Sequence, residues 1–291
     1  MDKLYNVRDI FKSVASKYDF MNDLMSFGVH RFWKDCLVGL LEPKLISHWQ
    51  SVERCLLSSN RGRILKARVP KLSIIDLAGG TGDIAFRIND LSNHLAFKTA
   101  NGFQYHCEYS RKFYPKISIV DVSEEMIAEG KRRYRDQYGG QTGVTEWLGN
   151  SDETGNVEWI LGPAEEIPLE DSSADIITIA FGARNFDNLS QGLLECKRVL
   201  KPNGELYILE FSKCKLPVLS ALYSVYSHLV IPKMGKVVAN DEDAYQYLVD
   251  SIEAFPGQLD FAKIIEDCGF HEVSHLDLSG GIVAIHKAVK R

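Results

Sequence analysis

Residues Lys71–Gly80 read KLSIIDLAGG, and Thr81–Leu91 continue as TGDIAFRINDL. A short apolar run that is rich in β-branched residues and stops at a glycine pair is typical of a buried strand that runs into a tight turn. From Gly82 onward, apolar residues recur at helical spacing. This stretch therefore predicts a strand, a glycine-rich turn and a helix, which is the opening unit of an α/β fold.

The same alternation recurs along the chain. Strand patterns are predicted at 117–122, 157–162, 174–182, 204–212 and 280–289, and helical patterns at 123–137, 188–200, 241–255 and 260–270. The first forty residues also have helical spacing. Alternation of this kind requires crossover connections, so the sequence predicts a doubly wound, mostly parallel sheet with helices on both faces.

The 291 residues are expected to form one domain with surface insertions. Three segments do not fit a compact alternation of strands and helices, namely 48–70, 92–116 and 138–156. Loops of this length are uncommon unless they are functional or disordered. We therefore expect these segments to be surface insertions.

The overall composition excludes several functional classes. A formal charge of −5 without a Lys/Arg block argues against nucleic acid as a partner. The six cysteines form no C-x-x-C pair, which argues against a zinc site, a redox dithiol or a disulfide framework. His30 and His286 are single histidines without metal-site spacing, so both are interpreted as structural and no metal is expected. No apolar run approaches the roughly 20 residues of a membrane-spanning helix, and no secretory signal is present.

The glycine turn Asp76–Asp83 and Asp121 together indicate a cofactor site. Glycines after a parallel strand let the backbone approach a ligand closely. Asp121 ends the second strand, where a carboxylate can accept hydrogen bonds from both hydroxyls of a ribose. A nicotinamide site would have a third glycine, whereas Ile84 and Ala85 follow this turn. The pattern therefore favours S-adenosyl-L-methionine as the cofactor of a methyltransferase.

Five further stretches resemble the ubiquinone/menaquinone biosynthesis C-methyltransferase family. They are KYDFMNDLMSFGVHRFWK (Lys17–Lys34), ITIAFGARNF (Ile177–Phe186), RVLKPNGELYILEFSK (Arg198–Lys213), VANDEDAYQYLVDSIEAFPGQ (Val238–Gln258) and GIVAIH (Gly281–His286). The resemblance covers nearly the whole chain. It implies a class I S-adenosylmethionine methyltransferase fold with seven strands, the last antiparallel. It also implies a substrate-side helical segment at 1–47, a cofactor-binding core at 71–215 and lid helices at 216–258.

The resemblance implies a set of cofactor contacts. They comprise the glycine turn, the ribose carboxylate, the adenine edge and the end of the fourth strand: Asp76, Gly79, Gly80, Thr81, Gly82, Asp121, Val122, Pro163, Ala164 and Ala180. The chain departs from the family in two places, with Pro163 where Asn is usual and Ala180 where Ser is frequent. Because Pro163 has neither an amide hydrogen nor a side-chain amide, one hydrogen bond to the cofactor is lost or moves to Ala164.

The candidate catalytic residues are Arg184, Asn185, Asp19 and Tyr18. Methylation of a ring carbon requires electron density at that carbon, a route for a proton and exclusion of water. Arg184 and Asn185 follow the fourth strand, at the edge where substrates bind. Arginine is a poor base, so we expect Arg184 to stabilise a phenolate, with a salt bridge that braces the lid as the alternative. Asp19 is either the proton acceptor or a helix cap, and Tyr18, Tyr245 and Tyr247 line a quinol or prenyl groove or pack in the core.

The resemblance implies S-adenosylmethionine-dependent C-methylation of a polyprenylated methoxy-benzoquinol in ubiquinone biosynthesis. The alternatives are a demethylmenaquinol methyltransferase, another class I methyltransferase with a small soluble acceptor, and a cofactor-binding scaffold of a quinone-synthesis complex. The expected partners are the quinol, a second copy of the chain and a multi-subunit complex. The expected location is the matrix side of the mitochondrial inner membrane, by peripheral contact, with the bacterial cytoplasm as the alternative. The apolar stretch 216–231 fits a lid, a dimer face or a prenyl groove.

Overall fold

The computed structural model describes Asp23, Ser26 and residues 28–58, 71–99, 113–138, 156–215 and 242–291. The strands are β1 (Ser73–Leu77), β2 (Lys116–Asp121), β3 (Val157–Leu161), β4 (Ala174–Ala180), β5 (Leu200–Phe211), β6 (His271–Leu278) and β7 (Val283–Val289). The helices are α1 (Val29–Gly39), α2 (Glu42–Ser58), α3 (Asp83–Thr99), α4 (Glu124–Tyr138), α5 (Leu189–Val199), α6 (Glu242–Ala254) and α7 (Gln258–Asp267).

The strands form one seven-stranded sheet in the order β3-β2-β1-β4-β5-β7-β6. Strands β1 to β5 pair in parallel, and β7 runs antiparallel to both of its neighbours. This topology confirms the predicted doubly wound sheet with an antiparallel last strand. The strand order reverses between β1 and β4, and ligands of open α/β sheets bind at the carboxyl ends of the strands beside such a reversal.

Helices cover both faces of the sheet, which explains why the central strands are continuously apolar. Ile74 and Ile75 are adjacent on β1, point to opposite faces and are both buried. One face packs against buried side chains of α1, α2 and α3, and the other against buried side chains of α5 and α7. Two separate apolar layers therefore fix the sheet in place beneath the candidate site.

The predicted insertion boundaries at 48 and 92 are wrong, because helices continue through both positions. Helix α2 extends to Ser58, and α3 extends to Thr99. Trp49 and Val52 of α2 are buried, and Trp49 Nε1 donates a hydrogen bond to Ser92 Oγ of α3 at 3.2 Å. These two helices pack against each other, and that tertiary contact orders residues which have no strong local pattern.

Strand β6 was not predicted from the residue pattern. It reads HEVSHLDL and lies at the edge of the sheet, where most of its side chains are exposed or half-buried. An edge strand that pairs on one side only does not need the apolar run of a central strand. Its pairing with β7 places it in the sheet.

The longest helices in the described ranges, α2 and α3, have 17 residues each. Within those ranges, no helix combines the length and the apolar character that crossing a membrane requires. Tyr18, Asp19 and residues 216–241 lie outside the described residues. Of the predicted lid, the structure therefore describes residues 242–258, which form α6 and the start of α7.

Candidate active site

The turns that follow β1 and β4 lie side by side at the carboxyl edge of the sheet. A Cβ atom added to Gly182, after β4, would lie 2.6 Å from the Cβ of Ala78, after β1. The predicted cofactor turn and the predicted catalytic pair, Arg184 and Asn185, therefore share one edge of the molecule. Ala180, the last residue of β4, is half-buried beside them.

Glycine is required in the β1 turn for two different reasons. Gly80 and Gly82 have φ of 55° and 84°, in the left-handed region that side chains disfavour. At Gly79 a Cβ would lie 2.8 Å from both Asp76 Oδ2 and Ile119 Cγ2. The turn thus packs onto β1 and β2 from above, and helix α3 begins at Asp83 directly after it. Backbone N–H groups at the start of a helix favour anionic or electron-rich ligand groups.

Asp121 connects this turn to the start of α4. Gly80 N donates a hydrogen bond to Asp121 Oδ2 at 2.8 Å, and Ser123 N donates to Oδ1 at 2.9 Å. Burial raises the pKa of Asp121, and these backbone hydrogen bonds act in the opposite direction. Each carboxylate oxygen keeps a further lone pair, so Asp121 can hold the turn and still accept hydrogen bonds from ribose hydroxyls.

The predicted adenine edge lies next to Asp121. Gly162 N donates a hydrogen bond to the Asp121 carbonyl at 2.9 Å, which places Pro163 and Ala164 directly after this contact. Ala164 is buried and Pro163 half-buried. Val122 follows β2 and is also half-buried. These predicted contacts therefore form a continuous edge beyond the carboxyl ends of β2 and β3.

The hydroxyl of Thr81 is engaged by a residue that sequence reasoning missed. Arg133 of α4 donates from Nη1 to Thr81 Oγ1 at 2.6 Å, and its guanidinium lies 5.8 Å from the centre of the Phe86 ring. Thr81 is buried. Arg133 is one of several basic residues in its helix, so nothing in the sequence distinguished it from a solvated surface charge.

Asp76 lies beneath the glycine turn. Thr178 Oγ1 donates a hydrogen bond to Asp76 Oδ1 at 3.0 Å, whereas Oδ2 is buried and has no hydrogen-bond partner among the described residues. Burial raises the pKa of Asp76 to about 7, and the hydrogen bond from Thr178 acts against that rise. Near neutral pH the carboxyl group of Asp76 is therefore close to its pKa.

Substitution Asp76→Asn is expected to remove a pH dependence of stability. The folded-state pKa is raised above the unfolded value, so between about pH 4 and pH 7 the folded state retains a proton that the unfolded chain releases. Wild-type stability should therefore fall as pH rises through this window, and the variant should lack that component. Denaturant midpoints at pH 5 and pH 8 measure the difference, with exposed Asp267→Asn as the control. Parallel changes in all three proteins would contradict the assignment.

Arg184 is held by a buried ion pair. Its Nη1 donates to Glu210 Oε1 at 2.7 Å and to the Phe181 carbonyl at 2.6 Å. The side chains of Arg184 and Glu210 are only 5% and 1% exposed. Arg184 therefore forms a salt bridge, and its partner is Glu210 of β5. Its Nε–H is a buried donor that has no acceptor among the described residues.

Asn185 connects the same turn to α6. Tyr247 Oη donates a hydrogen bond to Asn185 Oδ1 at 3.2 Å. With Oδ1 used as the acceptor, the amide Nδ2 is the group of Asn185 that can donate to a ligand. Tyr247, which sequence reasoning considered for the substrate groove, is half-buried and therefore lies beside the predicted catalytic pair.

Helix α1 forms an aromatic wall beside Arg184. Trp33 lies 6.1 Å from both Phe181 and Phe211, ring centre to ring centre, and those two rings are 5.0 Å apart. The Arg184 guanidinium lies 5.4 Å from the Phe211 ring centre. Trp33 Nε1 donates to Ser279 Oγ at 2.9 Å. This cluster gives the edge near β4 and β5 an apolar lining suited to a ring or a hydrocarbon chain.

A second contact joins α1 to the glycine turn. Lys34 Nζ donates to Asp83 Oδ2 at 2.7 Å, and both side chains are mostly buried. Burial raises the pKa of Asp83. The positive charges of Lys34 and Arg87, and the hydrogen bonds that they donate, outweigh burial and lower this pKa to about 2. Nothing in the sequence indicated that Lys34, the last residue of KYDFMNDLMSFGVHRFWK, contacts the first residue of α3.

The residues at this edge fit S-adenosylmethionine. The buried Asp76 Oδ2 without a partner and the carboxylate of Asp121 provide hydrogen-bond acceptors around the turn. The glycines carry no side chains of their own, which lets the backbone of the turn approach a ligand closely. That set suits a ligand that carries hydroxyl and ammonium donors together with positive charge. Among the described residues, no group of three or more His, Cys, Asp and Glu side chains is arranged to hold a metal ion.

The chain is similar to methyltransferases over nearly its whole length. The model of the ubiE/COQ5 methyltransferase family matches residues 2–290. The human 2-methoxy-6-polyprenyl-1,4-benzoquinol methylase, mitochondrial, is 38% identical over 298 residues, which cover 98% of this chain and 79% of that protein. The ubiquinone/menaquinone biosynthesis C-methyltransferase of Brucella anthropi is 39% identical over 284 residues, with 98% of this chain and 87% of that protein covered.

A solved structure from Haloferax volcanii has the same fold. In the complex of the Haloferax volcanii Trm112 methyltransferase activator, the matching chain aligns with a TM-score of 0.50 at 13% identity and covers 98% of this chain and 97% of its own. A SAM-dependent methyltransferase from Aquifex aeolicus aligns with a TM-score of 0.48 at 17% identity, covering 82% of this chain and 98% of its own. At 13% identity, the alignment with the Haloferax volcanii chain is informative about the fold alone.

Proposed function

Because the chain belongs to the ubiE/COQ5 methyltransferase family, we propose that it transfers a methyl group from S-adenosylmethionine to a ring carbon of a polyprenylated methoxy-benzoquinol in ubiquinone biosynthesis. The observation that carries this proposal is the near full-length match to a human and a bacterial protein whose names state this chemistry. The contact between the glycine turn and the Arg184 turn is consistent with a cofactor and an acceptor that meet at one edge.

The residues that would hold the cofactor surround the β1 turn. Asp121 would accept hydrogen bonds from the ribose hydroxyls, and the backbone of Gly80–Gly82 would lie against the ligand. Ala164 would donate from its backbone at the adenine edge, since Pro163 cannot. When bound there, S-adenosylmethionine supplies an electrophilic methyl group on a positively charged sulfur.

Arg184 and Asn185 would bind the acceptor oxygen. Arg184 would act as a hydrogen-bond donor, since arginine is a poor base, and Glu210 fixes the plane of its guanidinium. Its buried Nε–H lacks an acceptor among the described residues, and an oxygen of the acceptor ring would satisfy it. Asn185 Nδ2 provides a second donor, oriented by Tyr247. Donors fixed in this way stabilise negative charge on the oxygen while the ring carbon becomes nucleophilic.

The aromatic wall would hold the ring and exclude water. Trp33, Phe181 and Phe211 pack beside Arg184 and give the acceptor side of the site an apolar surface. Exclusion of water strengthens the hydrogen bonds that Arg184 and Asn185 make. Asp19 as the proton acceptor and Tyr18 in the groove remain proposals that rest on the family resemblance.

The decisive experiment is a methylation assay with labelled S-adenosylmethionine and a panel of demethylated acceptors. We expect label in the ring of prenylated benzoquinols, with lower rates for short-chain analogues. The panel includes demethylated naphthoquinols, because the name of the Brucella relative covers menaquinone as well. Label in soluble acceptors only would contradict the proposal. Binding of the cofactor without methylation until partner proteins are added would favour the scaffold alternative.

The proposed location is the matrix side of the mitochondrial inner membrane, by peripheral contact. Support comes from the word mitochondrial in the names of the animal relatives and from the lipid-tailed acceptor in those names. We also propose a homodimer within a multi-subunit synthesis complex. Fractionation of the native source tests the location, and a cytosolic bacterial protein would favour the alternative that the Brucella relative represents.

A further inference from the structure

The direction of α1 places its first residues above the candidate site. Trp33 and Lys34 contact Phe181, Phe211 and Asp83, all at the carboxyl edge of the sheet. Further along the chain, His48 of α2 bonds to the Phe113 carbonyl, just before β2 and thus at the opposite edge. The chain therefore runs from the carboxyl edge to the amino edge, and the first residues of α1 lie farther toward the outside of the carboxyl edge than Trp33.

His30 lies on the face of α1 that is turned toward the site. It precedes Trp33 and Lys34 by three and four positions, which places all three on one face of the helix, and all three are buried. At 1.5 Å per residue, His30 is about 5 Å farther out along the axis. Trp33 borders the Arg184 side of the edge, and Lys34 borders the glycine turn. His30 thus lies on the helix face that carries Trp33 and Lys34, farther toward the outside of the carboxyl edge.

The imidazole of His30 is held at one nitrogen. Ser26 Oγ lies 2.8 Å from His30 Nδ1 and also accepts a hydrogen bond from His30 N at 3.2 Å. Since that oxygen already accepts from the backbone, its hydroxyl hydrogen can donate to Nδ1. Asp23 Oδ1 lies 3.7 Å from the same nitrogen. When Ser26 donates to Nδ1, the proton of the neutral ring lies on Nε2, which is then a hydrogen-bond donor.

The surroundings of His30 keep the ring neutral. Burial, followed by the positive charge of Lys34, lowers the pKa of His30 to about 4, whereas Asp23 and Asp83 act in the opposite direction. Arg31 adds a further positive charge. A neutral donor suits a site that must also accept a sulfonium, since a second cation beside Lys34 would repel it.

We propose that His30 contacts the acceptor directly and donates a hydrogen bond from Nε2–H to a ring oxygen of the quinol, with Ser26 fixing the ring. This inference rests on the proposed function and adds a residue to it. Sequence reasoning interpreted His30 as structural, because no metal-site partner stood near it. The structure supplies a different partner, Ser26, one helical turn earlier, and a place on the buried helix face that also carries Trp33 and Lys34.

The test compares three variants by single-turnover methylation of a short-chain benzoquinol at saturating cofactor. His30→Phe keeps a planar ring and removes the donor, so its rate should fall roughly tenfold, the size of one hydrogen bond to a developing charge. His30→Gln places an amide N–H near the position of Nε2 and should recover most of the rate. The control is His48→Gln, a buried histidine at the opposite edge, which should retain the wild-type rate.

Two readouts separate a contact with the acceptor from a structural role. Cofactor affinity by calorimetry and the thermal midpoint should remain near wild type in His30→Phe. In protein labelled with 15N-histidine, NMR should show a neutral His30 ring protonated at Nε2. That resonance should move when the benzoquinol is added in the presence of S-adenosylhomocysteine.

A His30→Phe rate equal to that of the control, a rate loss matched by lost cofactor affinity, or an unmoved Nε2 resonance would each overturn this inference. Failure of the proposed function gives a different result, because wild-type protein would then methylate no quinol in the panel. A wild type that methylates quinols, with His30→Phe unimpaired, rejects the role of His30 alone.

Discussion

Arg184→Ala is expected to lose a hundred- to a thousandfold in single-turnover rate, the cost of removing one fixed donor to a developing negative charge, about 2.7–4 kcal/mol. The residue lies at the acceptor side of the edge, and its contacts are to Glu210 and Phe181 and not to the glycine turn. Cofactor affinity in the folded variant should therefore change far less than the rate. Single-turnover kinetics and calorimetry on the same preparation measure both quantities.

The same substitution is expected to destabilise the fold. Removal of Arg184 leaves the carboxylate of Glu210 buried without its partner, and breaking a buried pair in this way costs about 3–5 kcal/mol. A lower thermal midpoint alone therefore does not decide between a catalytic residue and a brace. The rates must be measured well below the midpoint, where the variant is folded.

Two companion variants separate catalysis from bracing. Arg184→Lys keeps a charge for Glu210 and should recover stability but little rate, because lysine lacks the planar fork that bonds to two partners. Glu210→Gln removes the ion pair and keeps the guanidinium, so it should lose stability and retain more of the rate than Arg184→Ala. If Arg184 only stabilises the fold, the rate and the stability should fall in proportion in all three variants. An Arg184→Ala enzyme with near wild-type turnover would remove the catalytic role.

The elements that the sequence predicted correctly are those whose environment is uniform. Strands β1, β2 and β4 are covered on both faces, so burial favours apolar residues at most positions and leaves a mostly apolar run in the sequence. The glycine turn is visible because positive φ at Gly80 and Gly82 restricts the residue type. Local physical requirements thus made the centre of the fold predictable.

The elements that sequence reasoning missed depend on contacts between distant segments. Helix α2 is ordered by its packing on α3, and β6 is ordered by pairing with β7, so neither needs a strong pattern of its own. The side-chain contacts of the candidate active site also join segments that are far apart in the sequence. Nothing in the residues around Arg184 indicates that Glu210 of β5 is its partner, or that Lys34 reaches Asp83 across 49 positions.

The candidate site was predictable in location and less so in detail. The family resemblance named Thr81, Asp121, Arg184 and Asn185, and the structure places all four at one edge of the sheet. Their partners follow only from the fold, and they change what each residue is expected to do. Asp121, for example, was predicted to bind the ribose hydroxyls, and in the structure it also accepts a hydrogen bond from Gly80 of the glycine turn.

Asp121→Ala is expected to weaken the binding of S-adenosylmethionine by about 3 kcal/mol, more than a hundredfold, since hydrogen bonds to a charged group contribute about 1.5–3 kcal/mol. Asp121→Asn keeps one carbonyl acceptor and should lose less. Calorimetry measures both dissociation constants, and Asp136→Asn on the exposed face of α4 is the control that should bind normally.

Because Asp121 also accepts hydrogen bonds from Gly80 and Ser123, lost affinity in Asp121→Ala has two physical sources, the ribose contact and the shape of the turn. A double-mutant cycle that uses the ligand as the second partner distinguishes them. S-adenosylhomocysteine and its 2′,3′-dideoxy analogue are bound to wild type and to the variant. If Asp121 accepts the ribose hydroxyls, their removal weakens binding to wild type and has little effect on binding to Asp121→Ala. If Asp121 acts only through the turn, the hydroxyls contribute equally to both proteins, and the ribose assignment is rejected.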